Sequence, residues 1–344
     1  MSPSVPVLRR RQLLRLGAAG LGLMALPTGL AGCRPQPSEE LLHVSGALPA
    51  AWLRLLPRPW RARPLPEPQA ISARLAATSA AQPPPALVAL GDGWATALPP
   101  QRWRPLQLEP LLAGLADWAR PAARLFADGT APAVAFPWSF SPWVLALRSR
   151  PALAARGEEG WDLLLDPSLR GRLVLPSSPR LCMELMGRDY ERIAALRRQP
   201  LAYDDRHALN LLLGGEAEAA VVPLRPLIPL LRRDPRLAVV LPAAGAPLSW
   251  QLLLRPQGGQ AAPPQDWMEL ALQPPLLPAL LQNGWVPPLP RSVLEPLAAR
   301  FPDPIAALLL PPQGVLERCW SLPPLSVPEQ LALQTVWDAA APPA

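Results

Sequence analysis

The 344-residue chain contains no lysine, so each of its 33 basic residues is an arginine. It is also poor in the side chains that metal and covalent chemistry draw on, with 3 cysteines, 2 histidines and 2 tyrosines. Only His43 and His207 could assist Cys182 and Cys319, and none of them has the paired spacing of a zinc site. Tyr190 and Tyr203 are too few for a ferric-ion cluster. There is no Gly-x-Ser-x-Gly elbow, no Walker-type phosphate loop, no Gly-x-Gly-x-x-Gly turn after a strand and no His-Glu-x-x-His pair. The adjacent acids do not replace them, because sequence neighbours point different ways: Asp204-Asp205 reads as a helix cap and Glu158-Glu159 as a solvated loop. These absences argue against an enzyme, a metal centre and a cofactor. They leave a binding function assembled from ordinary side chains.

Long hydrophobic runs are missing too, and the one apolar run of note, Leu16 to Leu30, is shorter than the roughly 20 residues that span a bilayer. It is broken by Gly17, Gly20, Gly22, Pro27 and Gly29, and it follows Arg10-Arg11-Gln12-Leu13-Leu14-Arg15. Arginines, an apolar region and small residues, in that order, make an export signal. The pair Arg10-Arg11, followed by two hydrophobic residues and a cation, resembles the twin-arginine type. Because the run stops at Leu30-Ala31-Gly32-Cys33, Cys33 stands where a lipoprotein carries its acylated cysteine. Residues 1–32 are thus expected to be a signal peptide and 33–40 a lipid-anchored tether, on the membrane face of a periplasmic protein.

Losing that segment removes four arginines and no acid, so the formal net charge falls from +7 to +3. The remaining arginines are scattered, apart from pairs such as Arg197-Arg198 and Arg232-Arg233, and no basic stripe marks a nucleic-acid surface. Half of the residues are hydrophobic, and 52 prolines with 21 glycines amount to about a fifth of the chain. That is below the roughly 25% at which disorder becomes the expectation. About 310 mature residues suit two medium domains better than one core.

Apolar bursts alternate with helical patterns. Leu41–Val44, Ala86–Leu90, Trp143–Leu147, Leu173–Leu175, Ala219–Val222, Leu237–Leu241 and Leu252–Leu254 have the length and continuity of strands buried on both faces, as in parallel α/β sheets. Leu111, Leu112, Leu115, Trp118, Leu125 and Phe126 share a helical spacing that Pro121 must bend or split. Asp204 or Asp205 is placed to start a helix through Leu209–Leu213 that Gly214-Gly215 ends. Ser326-x-x-Glu329, with Pro328 in the first turn, predicts a capping box and a last helix ending near Trp337.

The aromatic content is unusual: 13 tryptophans against 2 tyrosines and 4 phenylalanines. Most must be core. Trp94, Trp138, Trp143 and Trp250 nevertheless sit where strands meet glycine- or proline-rich turns, and loops at strand ends are where α/β proteins hold ligands. An indole face attracts a cation and shields any flat solute from water. Each of the four is therefore a candidate for the wall of a pocket as well as for the core.

Several segments, in order, resemble the bacterial extracellular solute-binding proteins of ABC importers, in their spermidine/putrescine-binding branch. Val134-Ala135-Phe136-Pro137-Trp138-Ser139 is similar to that family's Val-Pro-Tyr-x-Trp-Gly crossover. Gly160-Trp161-Asp162-Leu163, continuing through Pro167 and Gly171 to Leu173, is similar to its Trp-x-x-Leu-x-x-Pro-x-x-x-Gly segment. Leu212-Leu213-Gly214-Gly215-Glu216-Ala217 with Ala219–Val222 resembles its helix-Gly-Glu-strand unit. Pro242 to Gly245 followed by Trp250 resembles a further strand, and Asn283-Gly284-Trp285-Val286-Pro287 its closing turn.

The resemblance implies a two-lobed α/β fold of the type II periplasmic-binding-protein kind, with a hinge between the lobes. The expected division is 41–137 plus 250–300 for one lobe and 138–249 plus 301–344 for the other. It also implies a monomer that grips a small, polyamine-like cationic solute between the lobes and delivers it to an ABC permease. Asp92, Trp94, Trp138, Trp143 and Trp250 are the expected ligand-binding residues. The carboxylates with which polyamine binders hold ammonium groups are replaced: Ser177-Ser178-Pro179-Arg180 stands where the family has an acidic pair beside Ala-Arg, and Leu252 where it has an aspartate. The tryptophan that follows the family's Gly-Glu strand corresponds to Pro223 or Leu224. Asp92 is the remaining acid, and the losses leave open an envelope lipoprotein that keeps the scaffold for protein–protein interaction without transport.

Overall fold

The computed structural model describes residues 39–77, 79 and 83–342, so Arg10, Arg11 and Cys33 lie outside the described residues. Ten strands join in one sheet: β1 (Glu40–Val44), β2 (Arg61–Leu65), β3 (Leu87–Gly91), β4 (Trp103–Arg104), β5 (Ala135–Arg148), β6 (Leu173–Leu175), β7 (Pro200–Tyr203), β8 (Ala219–Pro223), β9 (Leu237–Val240) and β10 (Leu248–Pro256). The main order is β2-β1-β3-β10-β5-β8-β6-β7, with β4 on β10 and β9 on β5. All seven apolar runs of the sequence fall in strands. The three strands without such a run have other support; β2, for example, is rich in arginine and proline and pairs with β1 along its whole length.

The sheet is mixed rather than parallel. Parallel ladders occupy its two ends, β2-β1-β3 and β8-β6-β7, whereas β10, β5 and β9 run antiparallel to their neighbours. The organising element is β5. Its 14 residues pair with β10 up to Pro142 and then with β8 and β9 from Trp143 onward, so one strand serves both ends.

Only the second half of β5 reads as a strand in the sequence, because Pro137 and Pro142 have no N–H to give to a ladder. The structure accommodates each at an irregular point. The register moves from Ser139 opposite Gln251 to Pro137 opposite Leu252, which leaves Trp138 as the extra residue of a bulge. Pro142 sits where β5 changes partners.

Helix signals are borne out at two ends, but the helix through Leu209–Leu213 starts at His207 with no side-chain cap, and Asp204 holds the turn before it instead. Ser326 and Glu329 form the reciprocal capping box of the Val327–Ala339 helix, and Gly215, at φ 85°, ends the Ala208–Gly214 helix in the left-handed region open to glycine. Around Pro121 the helical pattern breaks into Glu109–Ala113, a short 3-10 turn and Arg120–Ala123. Among the described residues no helix is long and apolar enough to cross a membrane.

Most tryptophans are structural. Trp52 and Trp267 stack 4.3 Å apart with their planes 13° from parallel, and each indole N–H donates to the other's backbone carbonyl, at 2.8 and 2.9 Å. Trp138 packs on Trp52 at 5.0 Å and on Trp285 at 4.7 Å, and the Arg225 guanidinium lies 4.1 Å over the Trp285 ring. This chain of rings ties the early helix at Ala50–Leu53 to the segment near residue 285, far apart in sequence. Trp52→Ala should therefore cost about 3–5 kcal/mol, the usual loss for a buried large aromatic. Urea denaturation would check this, and a loss under about 1 kcal/mol would contradict the assigned role.

Candidate functional site

A cleft of about 810 Å³ opens at the C-terminal ends of β1 and β3, the edge of a parallel ladder where α/β sheets receive ligands. Its first bank comes from Leu90 to Trp94, where β3 ends and the Asp92–Thr96 helix begins. The Pro179–Leu185 helix supplies the second, led by Ser178, Arg180 and Met183. Trp143 and Gln251 reach it from β5 and β10, and Leu325, Gln330 and Gln334 of the C-terminal segment complete the lining.

Asp92, Trp94 and Trp143 are together in this cleft. Trp94 is exposed and Trp143 half-buried, so both indoles offer a face to a solute. Trp138 and Trp250 are placed elsewhere. Both are fully buried, Trp138 in the stack described above and Trp250 against Trp118 and Phe140 at 5.3 and 5.9 Å. The turn-rich surroundings that mark them in the sequence belong to the β5 bulge, where Trp138 is buried, and to the loop that leads into β10, where Trp250 is a buried strand residue. Trp250 still touches the site through its backbone: its N–H donates to Asp92 Oδ1 at 3.1 Å, and its indole N–H to Ser321 Oγ at 2.9 Å.

Asp92 is the most perturbed acid of the cleft. The residue is half-buried, its Oδ1 held by the Trp250 N–H at the cleft wall, and burial pushes its pKa up to about 6, against the opposing pull of the Trp250 and Gly93 backbone amides and of the Arg180 charge. A carboxylate so placed favours a cationic partner.

Two charged residues were not legible as cleft residues. Arg180 looks in the sequence like one arginine among 33, yet the helix turn after Ser178 carries it into the cleft. Asp205 reads as half of a helix cap. The structure divides the pair: Asp204 accepts from the Arg206 and His207 backbone N–H groups, whereas Asp205 accepts from the Ser177 N–H at 3.2 Å and from the Ser177 hydroxyl, at the cleft edge.

Ser178 and Leu252, which the sequence resemblance aligns with acids, have other roles: Ser178 caps its helix by accepting from Leu181 N–H, and Leu252 is fully buried. Pro223 lies opposite Trp143 in the β5–β8 ladder, so an indole still stands at that end of the sheet. Cys182 and Cys319 are free thiols; burial pushes the first up to about 12, which leaves it protonated and inert. Among the described residues there is no cluster of His, Cys, Asp and Glu able to hold a metal.

No protein-family model matches the chain, and no curated protein matches it in sequence. Solved structures do match it. The substrate-binding protein PotD of a spermidine/putrescine ABC transporter from Streptococcus pneumoniae aligns with a TM-score of 0.68 at 11% identity, over 89% of this chain and 98% of that one. The fold is the two-lobed α/β fold of the periplasmic binding proteins. The TpPotD lipoprotein of Treponema pallidum (TM-score 0.60, 12% identity, 89% of this chain and 99% of that one) and a periplasmic thiamin-binding protein (0.58, 12%, 94% and 100%) share it. Identities this low speak for the fold alone. Within it, the cleft lies against β3, β5 and β10, next to the strand shared by the two ends of the sheet.

The Asp92 shift has a sign that can be checked. Its folded pKa exceeds the unfolded value of 3.8, so the folded state binds more protons between about pH 4 and pH 6. The contribution of Asp92 to stability is thus largest below pH 4 and is lost as the pH rises through 6. Comparing urea stability of the wild type with Asp92→Asn should show the wild type losing ground to the variant over that interval and no further change above pH 7. A difference that stays flat, or runs the other way, would contradict the buried carboxyl.

Proposed function

We propose that this chain is the lipid-anchored, extracytoplasmic solute-binding component of an ABC importer, and that it grips a small solute in the cleft between Trp94 and Trp143. The observation that carries the reading is the combination, in one cleft at the C-terminal strand ends, of a buried carboxyl group, two available indole faces and a two-lobed fold. Asp92 would meet the positive end of the solute, and the indoles would cover its body. Trp250 would act from beneath, by fixing Asp92 through its backbone N–H, whereas Trp138 would serve the core stack.

The remaining parts of the reading come from the sequence. Residues 1–32, with Arg10 and Arg11, would direct export; Cys33 would carry the lipid, and 33–40 would tether a periplasmic monomer near its permease. The lobes would comprise 41–137 plus 250–300 and 138–249 plus 301–344, closing about the crossing strands β5 and β10 when solute binds. The spermidine/putrescine and thiamin binders that share the fold support a transport role, and their solutes are nitrogenous cations by name.

A thermal-shift screen of the exported form against polyamines, amino acids, sugars and thiamin tests the role. A solute at 100 times its dissociation constant should add about 2.7 kcal/mol. If no solute in the screen raises the melting temperature, the scaffold serves another purpose, such as contact with an envelope protein. For a solute that does bind, Trp94→Ala should weaken affinity on the order of tenfold, as expected for an exposed aromatic wall; unchanged affinity would remove Trp94 from the site.

A further inference from the structure

The cleft presents charges of both signs that act on each other across it, and Glu184 and Glu329 add to the field at Arg180, but no direct ion pair joins Asp92 to a cation. Asp92 takes the Trp250 backbone N–H, and among the described residues it forms no ion pair. On the other bank, Arg180 donates Nη1 to the carbonyl of Pro323 at 2.6 Å, and its Nε stands 4.0 Å from Glu184. Glu184 is already held by Arg188 at 2.5 Å, and the Arg180 Nε has no hydrogen-bond partner. Its Nη2 forms no hydrogen bond to a described residue. Arg180 thus faces the cleft with a charge that Glu184 only partly offsets, opposite a carboxyl group without a cation.

Resting on the solute-binding role proposed above, we infer that the cleft selects a small zwitterion, with its ammonium end at Asp92 and its carboxylate end at the Arg180 guanidinium. The charge pattern discriminates by chemistry. A diamine satisfies Asp92 but brings a second cation toward Arg180, where like charge and desolvation both disfavour it. A dicarboxylate meets the reverse problem at Asp92. A zwitterion answers both charges at once, and the free Nη2 gives its carboxylate a charge-assisted hydrogen bond. Asp205 keeps its charge, but the Ser177 amide and hydroxyl hold its carboxylate at the cleft edge, on the same side as Arg180 rather than beside Asp92. Gln251, Gln330 and Gln334 add neutral donors and acceptors that suit either end of such a molecule.

The test uses the exported form of the protein and probes that differ only in end groups: ω-amino acids of three to six carbons, the diamines and the dicarboxylates of matching length, and the α-amino acids. Calorimetric titration should find an amino acid binding on the order of tenfold or more above the diamine and dicarboxylate of the same length. Arg180→Gln should abolish that preference by weakening the amino acid while leaving or improving the diamine, and Asp92→Asn should weaken the amino acid and the diamine. Arg180→Lys, which keeps the charge and loses the planar fork, should fall between. A single cooperative thermal transition in each unliganded variant will show that they fold.

A diamine that binds as tightly as the amino acids, with Arg180→Gln leaving both unchanged, overturns the zwitterion assignment and leaves solute binding intact. If the amino acids fail while the wider screen finds another solute, the assignment likewise falls by itself. Absence of binding by every solute overturns the two together.

Discussion

The architecture depends on one strand being shared. A 14-residue β5 forms antiparallel ladders with β10 along its first half and with β8 and β9 along its second, and the parallel ladders at the two ends of the sheet are joined through it. Two prolines lie in this strand, which would ordinarily disqualify it from a central position. Each falls at an irregularity, Pro137 beside the Trp138 bulge and Pro142 at the change of partner. The bulge turns Trp138 into the stack of rings, and the change of partner brings Trp143 to the cleft. Two irregularities of one strand therefore set a part of the core and one wall of the site.

The second constraint is the cost of an enclosed carboxyl group. Asp92 stands at the end of β3, next to β10, and the Trp250 amide is the one polar contact offered to it by that strand. A group in that position is costly without a partner, and sites are often built from such costs. Arg180 lies on the other bank but does not neutralise it directly. The proposed solute would do what the protein leaves undone, and closing the cleft on it would strengthen both contacts by excluding water.

Much of this was legible in the amino-acid order. Strand runs, the Ser326 capping box and the Gly215 stop depend on local periodicity and local hydrogen bonds, and each occurs where those rules put it. The two-lobed α/β class follows from the order of weak motifs, and the structural likeness agrees. What could not be read was set by contacts across the sequence. Trp94 and Trp250 stand in similar glycine-rich turns, yet one is exposed and the other wholly buried, because β10 directs alternate residues inward while the short helix at Asp92 leaves its outer face free. Arg180 and Asp205 were hidden for a related reason: a charge on a helix turn or in a loop shows its function only when the facing bank is known.

A solute held between the Asp92 and Arg180 banks would be visible directly. The most direct measurement is a crystal structure of the exported form grown with a mixture of amino acids, diamines and sugars. Density for one solute is expected in the cleft, against Trp94 and Trp143, with its nitrogen near Asp92. Density for a solute in any other cavity, with only water between Trp94 and Trp143, would contradict it.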